Sequence, residues 1–84
     1  MVRVEIYTKK TCSYCVRAKQ LLDQKNVRYT EIAVDTDPKA LEIMLLRTEG
    51  RRTVPQIFIN DRGIGGCDDL YELEHEKKLD ALLK

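Results

Sequence analysis

The sequence predicts an α/β fold in the order β-α-β-α-β-β-α, a four-stranded mixed sheet flanked by helices. Three observations lead there. A strand pattern, a helix pattern and a second β-rich stretch follow one another within the roughly thirty residues of a βαβ unit. An Asp-Pro pair opens a further helix pattern. A turn cluster then separates two short apolar runs ahead of a last amphipathic stretch.

In the first strand Val2, Val4 and Ile6 alternate with Arg3, Glu5 and Tyr7, which is the period of a strand with one apolar face. It is expected to end near Tyr7. Arg3 and Glu5 suit a central strand poorly, so they are expected near its exposed end or on an incompletely covered face. After a loop from Thr8 to Thr11, Cys15, Ala18, Leu21 and Leu22 share one helix face, and Asn26 is a plausible stop. Val27 to Val34 is rich in β-branched and aromatic residues and reads as a strand parallel to the first. Asp37 offers a capping side chain, Pro38 a ring preset for the first helical turn, and Leu41, Met44 and Leu45 an apolar stripe. Gly50 ends that helix. Gln56-Ile57-Phe58-Ile59 and a short partner around Ile64 flank Asn60-Asp61-Arg62-Gly63, the turn of a β-hairpin. Past Gly65-Gly66, the residues Leu70, Leu73, Leu79, Leu82 and Leu83 supply a last helix and an amphipathic C-terminal turn that docks on the core.

Eighty-four residues suffice for one core, so residues 1–84 are read as a single domain, with no repeat, linker or low-complexity tract. A net charge of +1 gives no basic field for nucleic acid. The N-terminal residues lack the apolar run of a secretory signal, and no stretch is apolar enough to span a membrane. The expected setting is therefore the cytoplasm, where an odd count of three cysteines points to redox, metal or catalytic thiols rather than a disulfide framework.

Two of those cysteines form Cys12-Ser13-Tyr14-Cys15 at the start of the first helix. Thr11 is expected to cap that helix through its hydroxyl and to place Cys12 in the first turn. There the unpaired N–H groups and the positive end of the helix dipole favour an anion, and a thiolate is one. Lys9 and Lys10 add positive charge. Cys15, one turn on and facing the core, is expected to be shielded and to keep the ordinary acidity of a thiol. Residues three apart on a helix lie within disulfide reach, so the pair can close and open in place. Tetrahedral zinc would need four ligands, and only Cys67 and His75 remain, at no recognised spacing; no metal site is expected. A purely structural bridge over so short a loop would restrain little of the unfolded chain. Thiol–disulfide exchange is the reading these residues favour.

Four blocks together, Val4 to Lys9, Cys12 to Cys15, Thr53-Val54-Pro55-Gln56-Ile57-Phe58-Ile59 and Ile64-Gly65-Gly66-Cys67-Asp68-Asp69-Leu70, resemble the dithiol glutaredoxins of the small bacterial type. The resemblance runs over essentially the whole chain. It implies a thioredoxin-like fold and a glutathione-disulfide oxidoreductase with glutathione as reducing co-substrate and no tightly bound cofactor. Its partners would be glutathione and disulfide-containing or glutathionylated proteins, and it would act as a monomer. By the same resemblance Cys12 is the nucleophile and Cys15 the resolving thiol of a redox-active disulfide. Lys9, Tyr14, Thr53, Val54, Pro55, Gly66, Cys67 and Asp68 would bind glutathione, with the Val54-Pro55 bond cis. The residues alone read Pro55 equally well as a strand opener.

Two glycines allow close approach of a ligand, the start of the last helix offers N–H donors to a carboxylate, and Asp68 can accept from an ammonium. The γ-glutamyl end of glutathione carries both groups. Cys67 is expected to contribute its backbone, its thiol being a partly buried spectator. Arg51 or Arg52 would meet the glycine carboxylate or else belong to a solvated loop. Lys10, Arg17 and Lys19 would steer an anionic tripeptide. Tyr7, Phe58, Tyr29 and Tyr71 are expected to pack. Alternatives within the same fold are a glutaredoxin-like protein reduced by thioredoxin reductase and an iron-sulfur cluster carrier using Cys12. Tyr14 and the Gly65 to Asp69 segment speak against the first and Cys15 against the second.

Overall fold

A computed structural model describes residues 2–84. Strands β1 (Val4–Thr8), β2 (Thr30–Ala33), β3 (Gln56–Ile59) and β4 (Arg62–Gly65) form one sheet in the order β2-β1-β3-β4. Helices α1 (Ser13–Gln24), α2 (Pro38–Arg47) and α3 (Cys67–His75) complete the expected order, and a short helix α4 (Leu79–Leu82) follows where an amphipathic C-terminal turn is expected. β1 runs parallel to β2, and the β1–β3 and β3–β4 pairs are antiparallel, so the sheet is mixed.

Alternation in the central strands divides the core in two. Val4, Ile6, Ile57 and Ile59 pack with Ala18, Leu21 and Leu22 of α1, with Cys67 and Leu70 of α3, and with Leu79 of α4. Tyr7 and Phe58 point to the other face, against Val34, Ala40 and Met44 beneath α2. Their rings meet edge to face at 5.9 Å. Glu5 shares that face and is neutralised by Arg47 of α2, which donates to both of its carboxylate oxygens at 3.3 and 3.1 Å. The same guanidinium donates to the Tyr7 hydroxyl at 2.8 Å and lies 3.8 Å over the Phe58 ring. A charged residue in a central strand is thus satisfied by one arginine from the covering helix. Arg3 lies beyond the strand's start and reaches Asp61.

The local signals act as read. Asp37 Oδ1 accepts from the Lys39 and Ala40 amides, and Pro38 is the first helical residue. Asn60 and Asp61 both have positive φ, 51° and 66°, which is the two-residue turn that matches strand twist. β2 is shorter than expected: pairing with β1 begins only at Thr30, opposite Glu5. Val27 instead donates its amide back to Leu22 at the end of α1 and, with Tyr29, packs on the core. Lys77, at φ 61°, separates α3 from α4. Among the described residues no helix is long and apolar enough to cross a membrane.

Candidate active site

The cysteine pair stands where the loop after β1 enters α1. The helix begins one residue later than expected, and Cys12 rather than Thr11 is its cap: φ and ψ are extended, and its Sγ accepts from the Cys15 amide at 3.2 Å. The Val16 amide bonds to the Cys12 carbonyl, closing the first turn behind it. Sulfur therefore takes the position usually held by a serine or aspartate oxygen, facing the amides of the helix start. Thr11 is left exposed in the turn.

Both thiols are free, and their environments differ. Cys12 is partly exposed, whereas Cys15 is 2 % exposed. Burial, with a hydrogen bond to Cys12 and partly opposed by the Lys9 backbone, pushes the Cys15 thiol up to about 12. The ordinary acidity expected for Cys15 is thus corrected: it lies among core side chains that cannot solvate a thiolate. Cys67 is also buried, at 3 %, and burial pushes its thiol up too.

Beside the pair lies an open groove of about 290 Å³ lined by Tyr14, Thr53, Val54, Pro55, Gly66, Cys67 and Asp68, together with Arg51 and Asp69. Cys12 Sγ lies 3.8 Å from the Val54 carbonyl oxygen, which sets the thiol against one wall. The Val54-Pro55 bond is cis. Of the residues expected to bind glutathione, Lys9 alone is not part of the groove wall; it stands exposed in the loop before Cys12, without an ion-pair partner among the described residues. Arg51 lines the groove and Arg52 does not. Lys19, expected to steer, has its charge engaged by Glu31 at 2.9 Å. A larger hollow of about 640 Å³ between β4, α3 and α4 contains no cysteine, so the smaller groove is the candidate site. Among the described residues no three His, Cys, Asp or Glu side chains converge as a metal site.

Two residues that hold the groove's walls were not singled out by the sequence. Gln56, 2 % exposed at the start of β3, donates through Nε2 to the Thr53 carbonyl at 2.9 Å and to its hydroxyl at 3.1 Å. It staples the segment that carries Val54 and Pro55. Asp69 accepts the Gly66 amide at 2.9 Å. That N–H is therefore occupied, and the free donors at the start of α3 begin with Cys67. Gly65 has φ 108°, and a side chain there would overlap the Asp69 carboxylate. A glutamine directly after a proline, and an aspartate three residues past a glycine, are the available signals, and both are weak.

Comparison with known proteins agrees with this geometry. The glutaredoxin family model matches residues 4–64. Glutaredoxin 3 of Escherichia coli K12 is 55% identical over 84 residues, covering all of both chains. A probable glutaredoxin of Synechocystis is 57% identical over 81 residues, 96% of this chain and 74% of that protein. The solution structure of a glutaredoxin from Brucella melitensis superposes with a TM-score of 0.86 at 51% identity, over 100% of this chain and 90% of that one. The crystal structure of a buckwheat glutaredoxin–glutathione complex gives 0.84 at 40% identity, over 95% and 74%.

Proposed function

The chain belongs to the glutaredoxin family of thiol–disulfide oxidoreductases, and from that premise we propose that it is a glutathione-dependent enzyme reducing protein disulfides and glutathione mixed disulfides through Cys12 and Cys15. The observation that carries this reading is the groove: Tyr14, the Thr53 to Pro55 segment and the Gly66 to Asp68 segment, distant in sequence, meet beside the Cys12 thiol. The glutathione complex of the buckwheat relative supports the choice of ligand.

On this reading the γ-glutamyl carboxylate takes the Cys67 and Asp68 amides at the start of α3, and the Asp68 carboxylate accepts from the ammonium. The Val54 backbone pairs with the cysteinyl part, Tyr14 and Pro55 form walls, and Thr53 closes the edge. Lys9 attracts the tripeptide's negative charge from the loop, and Arg51 rather than Arg52 meets the glycine carboxylate.

Cys12, as thiolate, attacks the sulfur of a glutathionylated protein. The protein thiol departs, glutathione is left disulfide-bonded to Cys12, and a second glutathione releases it as glutathione disulfide. With a protein disulfide, Cys12 forms a mixed disulfide and Cys15 attacks Cys12, closing the redox-active Cys12–Cys15 disulfide and freeing the reduced protein; two glutathione molecules then reopen the bridge. Neither route calls for a tightly bound cofactor. Residues 1–84 act as one domain and as a monomer, in the glutathione-rich cytoplasm.

Cys15→Ser tests the assignment. Deglutathionylation, which needs Cys12 alone, is expected to persist, while reduction of protein disulfides falls severely; loss of both activities in a folded variant contradicts the role given to Cys15.

A further inference from the structure

Outside the groove, Thr8, Glu31 and Lys19 form a hydrogen-bonded chain that the two-cysteine scheme leaves unused. Thr8 Oγ1 donates to Glu31 Oε2 at 2.8 Å, and Lys19 Nζ donates to the same oxygen at 2.9 Å. The three come from different elements. Thr8, 2 % exposed, ends β1; Glu31 stands opposite Ile6 in β2; Lys19 lies in α1, four residues after Cys15. Residues four apart occupy one helix face a turn from each other, so the chain fixes an ammonium over the face that carries the buried thiol. Long lysine side chains are ordinarily mobile, and pairing with a carboxylate that Thr8 itself holds restricts that freedom.

The charges persist across the working pH range. Lys19, and then Thr8, hold Glu31 below the usual carboxylate range, and Glu31 in turn pushes Lys19 up. Burial is the largest influence on the Cys15 thiol and disfavours the thiolate, while the Lys19 ammonium acts in the opposite sense and more weakly. Cys12 from the helix start, the Lys9 backbone from the loop after β1 and Lys19 from α1 are the groups that bear on Cys15. Glu31 of β2, Thr8 of β1 and the Tyr29 phenol act through Lys19 and its ion pair.

We propose that Lys19, anchored by Glu31 and Thr8, is a positioning residue for the resolving step: its ammonium favours the Cys15 thiolate as that sulfur attacks Cys12 in the mixed disulfide. The inference rests on the resolving role given to Cys15 above. In that step the bond between the Cys15 and Cys12 sulfurs forms as the bond from Cys12 to the substrate sulfur breaks. The electron pair leaves on the substrate sulfur, which is reduced and takes a proton from water; Cys15 has released its own proton to water, and the two cysteines are oxidised together. A thiol disfavoured by burial has to ionise to make this attack, and the ammonium lowers that cost where solvent does not reach.

The experiment is stopped-flow reaction of the reduced protein with an aromatic disulfide that releases a coloured thiolate. A first release reports attack by Cys12 and a second reports resolution by Cys15. In Lys19→Met the second phase is expected to slow about three- to tenfold across pH 6 to 8 while the first is unchanged, the magnitude of one partly solvated charge a helical turn away. Lys19→Arg is expected to restore the second phase to within about twofold, since a second cation can hold the place. An unchanged second phase in Lys19→Met, or both phases slowing together, overturns the proposal. Absence of a second phase in the unsubstituted protein instead overturns the resolving role of Cys15 on which it rests.

Discussion

The asymmetry between the two active-site thiols can be read directly by chemical labelling. Burial raises the Cys15 thiol from 9.0 to about 12, which lowers its thiolate fraction at neutral pH by about a thousandfold. A thiolate of higher pKa is also the stronger nucleophile, with a Brønsted slope of roughly 0.4 to 0.5, so the net loss of rate is about 30- to 60-fold before steric shielding. At 2 % exposure, shielding adds to that. Alkylation with iodoacetamide, with each cysteine located by fragment-ion mapping, should therefore label Cys12 first. Cys15 in the folded protein should react at least about 30-fold more slowly than in denaturant.

The pH profile supplies a stricter check. The folded-state rate at Cys15 should go on rising about tenfold per pH unit through pH 10, whereas in denaturant it levels off near pH 9. A folded-state plateau near pH 9 would refute the argument, because labelling would then pass through an opened form with an ordinary thiol. The same shift couples to stability. The unfolded chain loses the Cys15 proton near pH 9 and the folded chain retains it to about 12, so the protonated thiol's contribution is complete below pH 9 and is lost as pH rises through that window. The full loss is about 4 kcal/mol, and Cys15→Ala should flatten the alkaline limb of the stability curve by an amount of that order.

Arg47→Met keeps the apolar stem but strips the guanidinium from Glu5, Tyr7 and Phe58; a loss of about 2 to 3 kcal/mol is expected in urea unfolding, and a change below about 0.5 kcal/mol would contradict the network's weight. Gln56→Leu should loosen the Thr53 to Pro55 wall and raise the KM for glutathione about three- to tenfold with alkylation of Cys12 preserved; an unchanged KM would remove Gln56 from the site. Asp69→Ala leaves the Gly66 amide without its acceptor and should raise the same KM several-fold, with Asp69→Asn recovering part of it. Equal effects of the two substitutions would show that the hydrogen bond is not what positions the turn.

Local signals made most of the fold readable. The Asp37-Pro38 helix start, the Asn60-Asp61 turn and the alternation in β1 each have a short-range cause, and each appears where that cause puts it. β2 is shorter than its β-branched residues suggest, because such residues report extended chain while the strand's length is set by where β1 begins to pair. Hydroxyls usually fill a helix cap, which favours Thr11; a cysteine can do so too, as Cys12 does, and nothing local separates the two. The groove walls followed from family resemblance, whereas Gln56 and Asp69 act on backbone atoms fixed only by the folded chain. Arg47 was unreadable for the same reason: its partners lie forty and more residues away in β1.

The claim that glutathione is the reductant is tested most directly by supplying electrons from one source at a time. The protein, a disulfide-bonded substrate and NADPH are mixed with either glutathione and glutathione reductase or thioredoxin reductase alone, and NADPH consumption is followed. Turnover with the glutathione system that Asp68→Ala weakens, and little or none with thioredoxin reductase, is the predicted result. Turnover with thioredoxin reductase, and none with glutathione, would contradict the account.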